Sequence, residues 1–205
     1  MSDDQCQCPH LLSLACSPIS LTVLEGIWKE LCQFSVNGAL YNSPECQPHP
    51  KCLKGTRVDL LKYIHKLLVD PGKNQLIWLH GTAGIGKSAV AFTRSKSDRN
   101  DEKRLVGTFF FSCKHTKRST TGYFFATLAH QLATNFPSIR KDVSRAICDN
   151  HALLHPNIPL CDQMEKLFLQ PFCRLHLGLR GCQPLTSAVN ALDKCTSEPE
   201  LTVEV

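Results

Sequence analysis

The chain has 205 residues, 42% of them hydrophobic and 20% charged, with 23 Lys and Arg against 18 Asp and Glu. That is enough apolar material for one domain of ordinary size with a short appendage, and it excludes a wholly disordered, collagen-like or coiled-coil chain. A formal charge of +5 does not predict nucleic-acid binding, and the basic residues between Arg94 and Arg104 alternate with acids and hydroxyls, the pattern of a solvated loop. No apolar run reaches the roughly 18 residues of a membrane span. The N-terminus lacks a basic leader. A soluble cytoplasmic chain, with neither membrane nor nucleic acid as partner, is expected. The twelve cysteines contain no C-x-x-C pair, so they are expected to be reduced thiols serving as small apolar residues.

The first 20 or so residues show no periodicity and are expected to be poorly ordered. Leu24, Trp28 and Leu31 recur at helical spacing, which predicts an amphipathic helix from Leu21 to about Phe34. Three prolines between Asn42 and Pro50 make a linker, because proline lacks the N–H that helix and sheet require. Leu60, Leu61, Ile64, Leu67 and Leu68 predict a second helix, stopped at Asp70-Pro71-Gly72. Leu76 to Leu79 is a short apolar run bounded by turn residues and a glycine-rich loop, the pattern of a buried parallel strand. A helix is expected after Lys87 and a second buried strand over Leu105 to Phe111. Phe125, Leu128, Ala129, Leu132, Ala133 and Phe136 form a helical stripe ended by Pro137. Ile139, Val143, Ala146 and Ile147 mark another helix, and a shorter one covers Asp162 to Leu169. Alternating strand and helix signals imply an α/β layered fold with a parallel sheet.

The segment Gly81-Thr82-Ala83-Gly84-Ile85-Gly86-Lys87-Ser88 fills the pattern G-x-x-x-x-G-K-[ST]. A chance match in a chain of this length has a probability under about one in a hundred. Glycines let successive N–H groups converge on phosphate oxygens, and the N-terminus of the following helix adds partial positive charge. Lys87 would reach the β- and γ-phosphates, and the Ser88 hydroxyl would ligate Mg²⁺. A nucleotide, ATP or GTP, is the expected ligand.

Further segments narrow the choice among proteins that share such a loop. Gly55-Thr56-Arg57 precedes the second helix, Phe109-Phe-Phe-Ser112 lies on the second strand, and Phe125-Ala-Thr-Leu-Ala-His-Gln-Leu132, Phe136-Pro-Ser-Ile-Arg140 and Gln163-Met-Glu-Lys-Leu167 follow in order. With these the chain resembles the NACHT class of signal-transduction P-loop ATPases, in its fungal nephrocystin-like N-terminal form, from about Asn37 to Leu201. The resemblance implies a P-loop NTPase-like three-layer fold, residues 1–50 forming an N-terminal helical or disordered segment with the Pro-rich linker and residues 51–205 a partial NACHT domain. It places Thr56 and Arg57 near adenine and ribose. It also implies a nucleotide-controlled signalling switch that pairs with its own kind or with a full-length homologue. A small P-loop kinase and a non-catalytic interaction fragment are the alternatives.

The family's metal-binding strand ends in Asp-Ala-Leu-Asp-Glu-Cys. Here the matching residues are Asn190-Ala-Leu-Asp193-Lys194-Cys195. Asn190 stands where the Mg²⁺-orienting aspartate belongs, Lys194 replaces the glutamate expected to be catalytic, and Asp193 is the remaining carboxylate, the candidate catalytic group. A neutral amide holds a hard cation less well than a carboxylate, and a charged lysine cannot accept a proton from water. Binding with weak or lost hydrolysis is therefore expected. Relatives of this kind also place a sensor strand between the loop strand and the metal strand, which the stretch after Cys195 is too short to supply. The sequence thus reads as a truncated module with unpaired strand edges and exposed apolar surface.

Overall fold

The computed structural model describes residues 20–46, 50–70, 76–100, 104–178 and 184–196. The segment before Ser20, for which poor order is expected, lies outside the described residues. Helices α1 (Leu21–Phe34), α2 (Val58–Val69) and α3 (Lys87–Asn100) precede strand β1 (Leu105–Phe110). Helices α4 (Phe124–Asn135) and α5 (Arg140–Asp149) follow, then α6 (Leu160–Gln163), a π-helical segment (Met164–Leu169), α7 (Gln170–Gly178) and strand β2 (Thr186–Asn190). The strands pair in parallel, with Thr108 opposite Ala188 and Phe110 opposite Asn190. The protein is mixed α/β and mostly helical, with a two-stranded parallel sheet.

The main core follows the predicted stripes. Ile27 and Leu31 of α1, Val106 of β1, Ala129, Leu132 and Ala133 of α4, and Val143 and Ile147 of α5 form one buried cluster with Leu154 and Leu167. Each large aliphatic side chain removed from water there contributes roughly 1.5–3 kcal/mol. Helix α1 starts where the Ser20 hydroxyl accepts from the Val23 N–H, a side-chain cap for one of the first turn's free donors. The Pro-rich stretch is tied to the sheet as well: Arg118, buried, donates to the Phe110 carbonyl and pairs with Glu45.

One edge of β1 is closed by amide side chains instead of a strand. Gln131 of α4 accepts from the Thr108 N–H through Oε1 at 2.9 Å and donates to the Thr108 carbonyl through Nε2 at 2.8 Å. One turn on, Asn135 Nδ2 donates to the carbonyls of Leu105 and Val106. A primary amide carries a donor and an acceptor in the spacing of a peptide group, so two of them satisfy the backbone that another strand would otherwise have paired.

Four expectations need correction. Residues 76–80 form no strand, and Leu76 and Trp78 are 84% and 67% exposed. An apolar run becomes a buried strand only when a neighbour accepts its backbone bonds and covers its side chains, and among the described residues β2 pairs with β1 alone. Of the parallel sheet expected from the resemblance the described residues show two strands, with Val189 and Leu192 exposed beside them. The stretch from Arg94 to Arg104 is not a solvated loop: α3 runs to Asn100, and Ser95, Asp98 and Arg104 are buried. The helix expected to stop at Leu169 continues to Gly178 through Pro171. Proline clashes with the carbonyl four residues back; here the turns before it widen, and the Gln170 N–H donates to Glu165, five residues back. Lastly, Cys32, Cys113, Cys161 and Cys173 are exposed rather than packed as small apolar residues.

The seam between α1 and α4 makes stability pH-dependent. Burial, reinforced by the positive charge of Arg140, holds the His130 imidazole below its ordinary pKa of 6.5. The unfolded chain therefore binds this proton more readily than the folded one. The stability contributed by neutral His130 is complete above about pH 6.5 and is lost as pH falls through the folded-state value. Thermal melts at pH 7 and pH 5 should show the advantage of the native chain over His130→Gln shrinking on acidification; a gap independent of pH would contradict the burial of this ring.

Candidate functional site

The backbone of residues 81–88 turns sharply. Gly81, Gly84 and Gly86 have φ of 147°, 82° and 91°, values in the region that favours glycine. At Gly81 the requirement is steric as well, because a Cβ would stand 2.3 Å from Ile85 Cδ1. Helix α3 begins at Lys87, so the turn delivers the chain directly to a helix N-terminus with its free N–H groups. The Lys87 side chain folds back across the loop: Nζ donates to the Gly81 carbonyl at 2.6 Å and to the Thr82 carbonyl at 3.0 Å. Its ammonium is thereby held against two carbonyls of the turn.

Arg57 reaches the same loop from α2. Its guanidinium donates to the Ile85 carbonyl, and its own backbone is left-handed, with φ of 58°. Thr56 closes the preceding turn, its hydroxyl donating to the Leu53 carbonyl at 2.7 Å. The pair Thr56-Arg57, singled out in the sequence, thus lies beside the glycine-rich loop.

The position of Asn190 and Asp193 follows from how α3 is anchored. Near its C-terminus Asp98 bonds both Arg104, just before β1, and Thr186, the first residue of β2. Helix α3 packs along β2, and from Asp98 back to Lys87 it rises about 16 Å. Strand β2 rises about 13 Å over its length. A helix packed along β2 from that anchor runs opposite to the strand, in the direction of the end that Asn190 closes. Ala191 follows with φ of 57°, and a single 3₁₀ turn, Leu192–Lys194, carries Asp193 and Lys194, both exposed. Among the described residues the two non-glycine positions with positive φ, Arg57 and Ala191, both belong to these segments. Such strained positions concentrate at functional sites.

The sequence model of the nephrocystin 3 N-terminal family matches residues 59–205, well over half of the chain. The chain belongs to the nephrocystin 3 N-terminal family. No curated protein and no solved structure matches it. The match begins in the first turn of α2, so it takes in the loop, both strands and the segment from Asn190 to Lys194, while Arg57 and the whole of α1 precede it. This member of the nephrocystin 3 N-terminal family has no helix among its described residues that is long and apolar enough to cross a membrane, and no cluster of three or more His, Cys, Asp or Glu side chains suited to a metal ion.

Composition fits a phosphate ligand. The donors the loop offers are backbone N–H groups, one ammonium, one guanidinium and the Ser88 hydroxyl, all suited to an anion. The other two candidates are a neutral amide, Asn190, at the end of β2 and an exposed carboxylate, Asp193, in the turn after it. Sequence reasoning missed Asp98, which fixes the far end of α3. Its signal was an acid one helical turn after Arg94, hidden in a stretch that read as uniformly polar.

Proposed function

We propose that this nephrocystin 3 N-terminal family chain binds a nucleoside triphosphate, ATP or GTP, at residues 81–88, and hydrolyses it weakly or not at all. The observation that carries the reading is the glycine-shaped turn that ends on the first residue of α3, with Lys87 arched over its carbonyls. On binding, Lys87 would exchange Gly81 and Thr82 for the β- and γ-phosphate oxygens, a stronger bond because the acceptor is charged. The backbone N–H groups of Gly84 to Ser88 would orient the phosphates, and Arg57 would border the sugar and base. Ser88 and Asn190 would hold Mg²⁺, whose chemistry is to neutralise phosphate charge. Asp193 would be the nearest carboxylate to an attacking water.

Membership of a NACHT-associated family supports extending the reading to a signalling switch, in which γ-phosphate contacts bias a conformational equilibrium in a cytoplasmic protein that assembles with its own kind. Titration with fluorescent ATP and GTP analogues in the presence of Mg²⁺ tests the binding step. Lys87→Ala should weaken affinity by roughly 30-fold or more, about 2 kcal/mol. Equal affinity of both proteins, or no binding by the native chain, would refute the reading.

A further inference from the structure

A second constellation lies away from the nucleotide loop, along the seam between α1 and α4. His130 Nε2 is 3.3 Å from the sulfur of Cys32, and His130 Nδ1 is 3.1 Å from Ser35 Oγ. Trp28 stacks beside the imidazole, ring centroids 5.0 Å apart, and the Arg140 guanidinium lies 4.1 Å above the Trp28 ring. The Cys32 residue is exposed, while the imidazole is half-buried. Nucleophile, base and orienting group thus stand in the order and at the distances that activated nucleophiles require. With Ser35 Oγ accepting from Nδ1–H, the free lone pair of the ring is on Nε2, facing the thiol.

We propose that Cys32 and His130 form a nucleophilic thiol site whose substrate class is hydroperoxides. Sulfur attacks the nearer oxygen of the peroxide, an S–O bond forms and the O–O bond breaks. The thiol proton passes to His130 Nε2 and on to the departing oxygen, which leaves as water from hydrogen peroxide or as an alcohol from an alkyl hydroperoxide. Sulfur is oxidised to a sulfenic acid, and the peroxide is reduced. The positive charge of Arg140 favours the negative charge that develops on the departing oxygen.

The resting pair is thiol and neutral imidazole rather than an ion pair. Partial desolvation against α4 pushes the thiol of the otherwise exposed Cys32 up, against the opposing pull of Arg140, and burial holds His130 down. The carboxyl end of α1, where Cys32 sits, also disfavours a preformed thiolate. Removal of the proton during attack is therefore what His130 contributes, and a neutral base suits that task. The histidine lies 98 residues from the cysteine in sequence, so no local motif announces the site.

Cys113, Cys161 and Cys173 are exposed and serve as internal references. The full chain is treated with a limiting amount of hydrogen peroxide, sulfenic acid is trapped with dimedone, and each cysteine is followed by peptide mass spectrometry. Cys32 should be trapped at least about ten-fold faster than the three references, and His130→Gln should remove that advantage while leaving their rates unchanged. If His130→Gln loosens the seam, the reference rates rise too. Ser35→Ala then decides, because it frees the ring and should slow Cys32 about three-fold in a folded chain. Trapping of Cys32 no faster than the references, or a Cys32 rate indifferent to both substitutions, would overturn the proposal.

Discussion

Asp98→Asn is expected to cost about 3 kcal/mol of folding stability, a large effect for a change of one atom. Asp98 Oδ1 accepts from Arg94 Nε at 3.0 Å, from Arg94 Nη2 and from Arg104 Nε at 2.9 Å, and Oδ2 accepts from the Thr186 hydroxyl at 3.1 Å. The backbone closes the same corner, Arg104 N–H donating to the Asp98 carbonyl and Thr186 N–H to the Arg104 carbonyl. One carboxylate therefore joins the end of α3, the entry to β1 and the entry to β2. Arg104 is 2% exposed, so it cannot turn to water when Asp98 loses its charge, and weakening a buried ion pair from one side costs more than the intact pair was stabilising. An exposed ion pair such as Lys166 with Glu165 would by contrast contribute under about 1 kcal/mol. For a chain of this size the loss should lower the melting temperature by roughly 6–12 °C. Chemical denaturation followed by circular dichroism measures it, and a loss below about 1 kcal/mol would show that the corner is held by packing alone.

How far the sequence disclosed this architecture depended on which physical signal each element used. Helices α1, α4 and α5 bury apolar side chains at intervals of three and four, α2 half-buries its leucines around the buried Ile64, and periodicity locates all four closely. Strand β1 is aromatic and β-branched and buried along its whole length. The glycine-rich loop was legible because its geometry demands particular residues at fixed spacing. Helix α3 was harder to read: beyond Phe92 its buried face includes Ser95 and Asp98, whose burial depends on Arg104 and Thr186, partners that lie outside the helix. Leu76 to Leu79 misled for the opposite reason, since apolar composition states a preference for burial but cannot supply the neighbour that provides it. The Cys32–His130 pair and the Gln131 plug of β1 arise only when helices dock, and no spacing rule reaches across such distances.

Asn190→Asp combined with Lys194→Glu is expected to raise nucleoside-triphosphate turnover by about 100-fold or more, on the reading that residues 81–88 bind the nucleotide. The substitutions ask little of the fold. Asn190 is half-buried at the last position of β2, where an aspartate has nearly the same shape and its backbone carbonyl would go on accepting from the Phe111 N–H. Lys194 is exposed in a 3₁₀ turn, so a glutamate there displaces nothing. Electrostatically the change is large: a formal charge of +1 over the two positions becomes −2 beside a site meant to hold Mg²⁺. The aspartate supplies the anionic oxygen that a hard cation prefers, and the glutamate a group able to take a proton from water, roles that Asn190 and charged Lys194 cannot fill. Phosphate release by the native chain, the two single variants and the double variant separates these contributions, with Asn190→Asp alone expected to tighten Mg²⁺ dependence more than it speeds turnover. Adding Lys87→Ala to the double variant should abolish the gain, which ties the activity to the loop and not to a contaminant. Native turnover equal to that of the double variant would mean that Asp193 suffices, and would refute the assignment of a hydrolytic defect to Asn190 and Lys194.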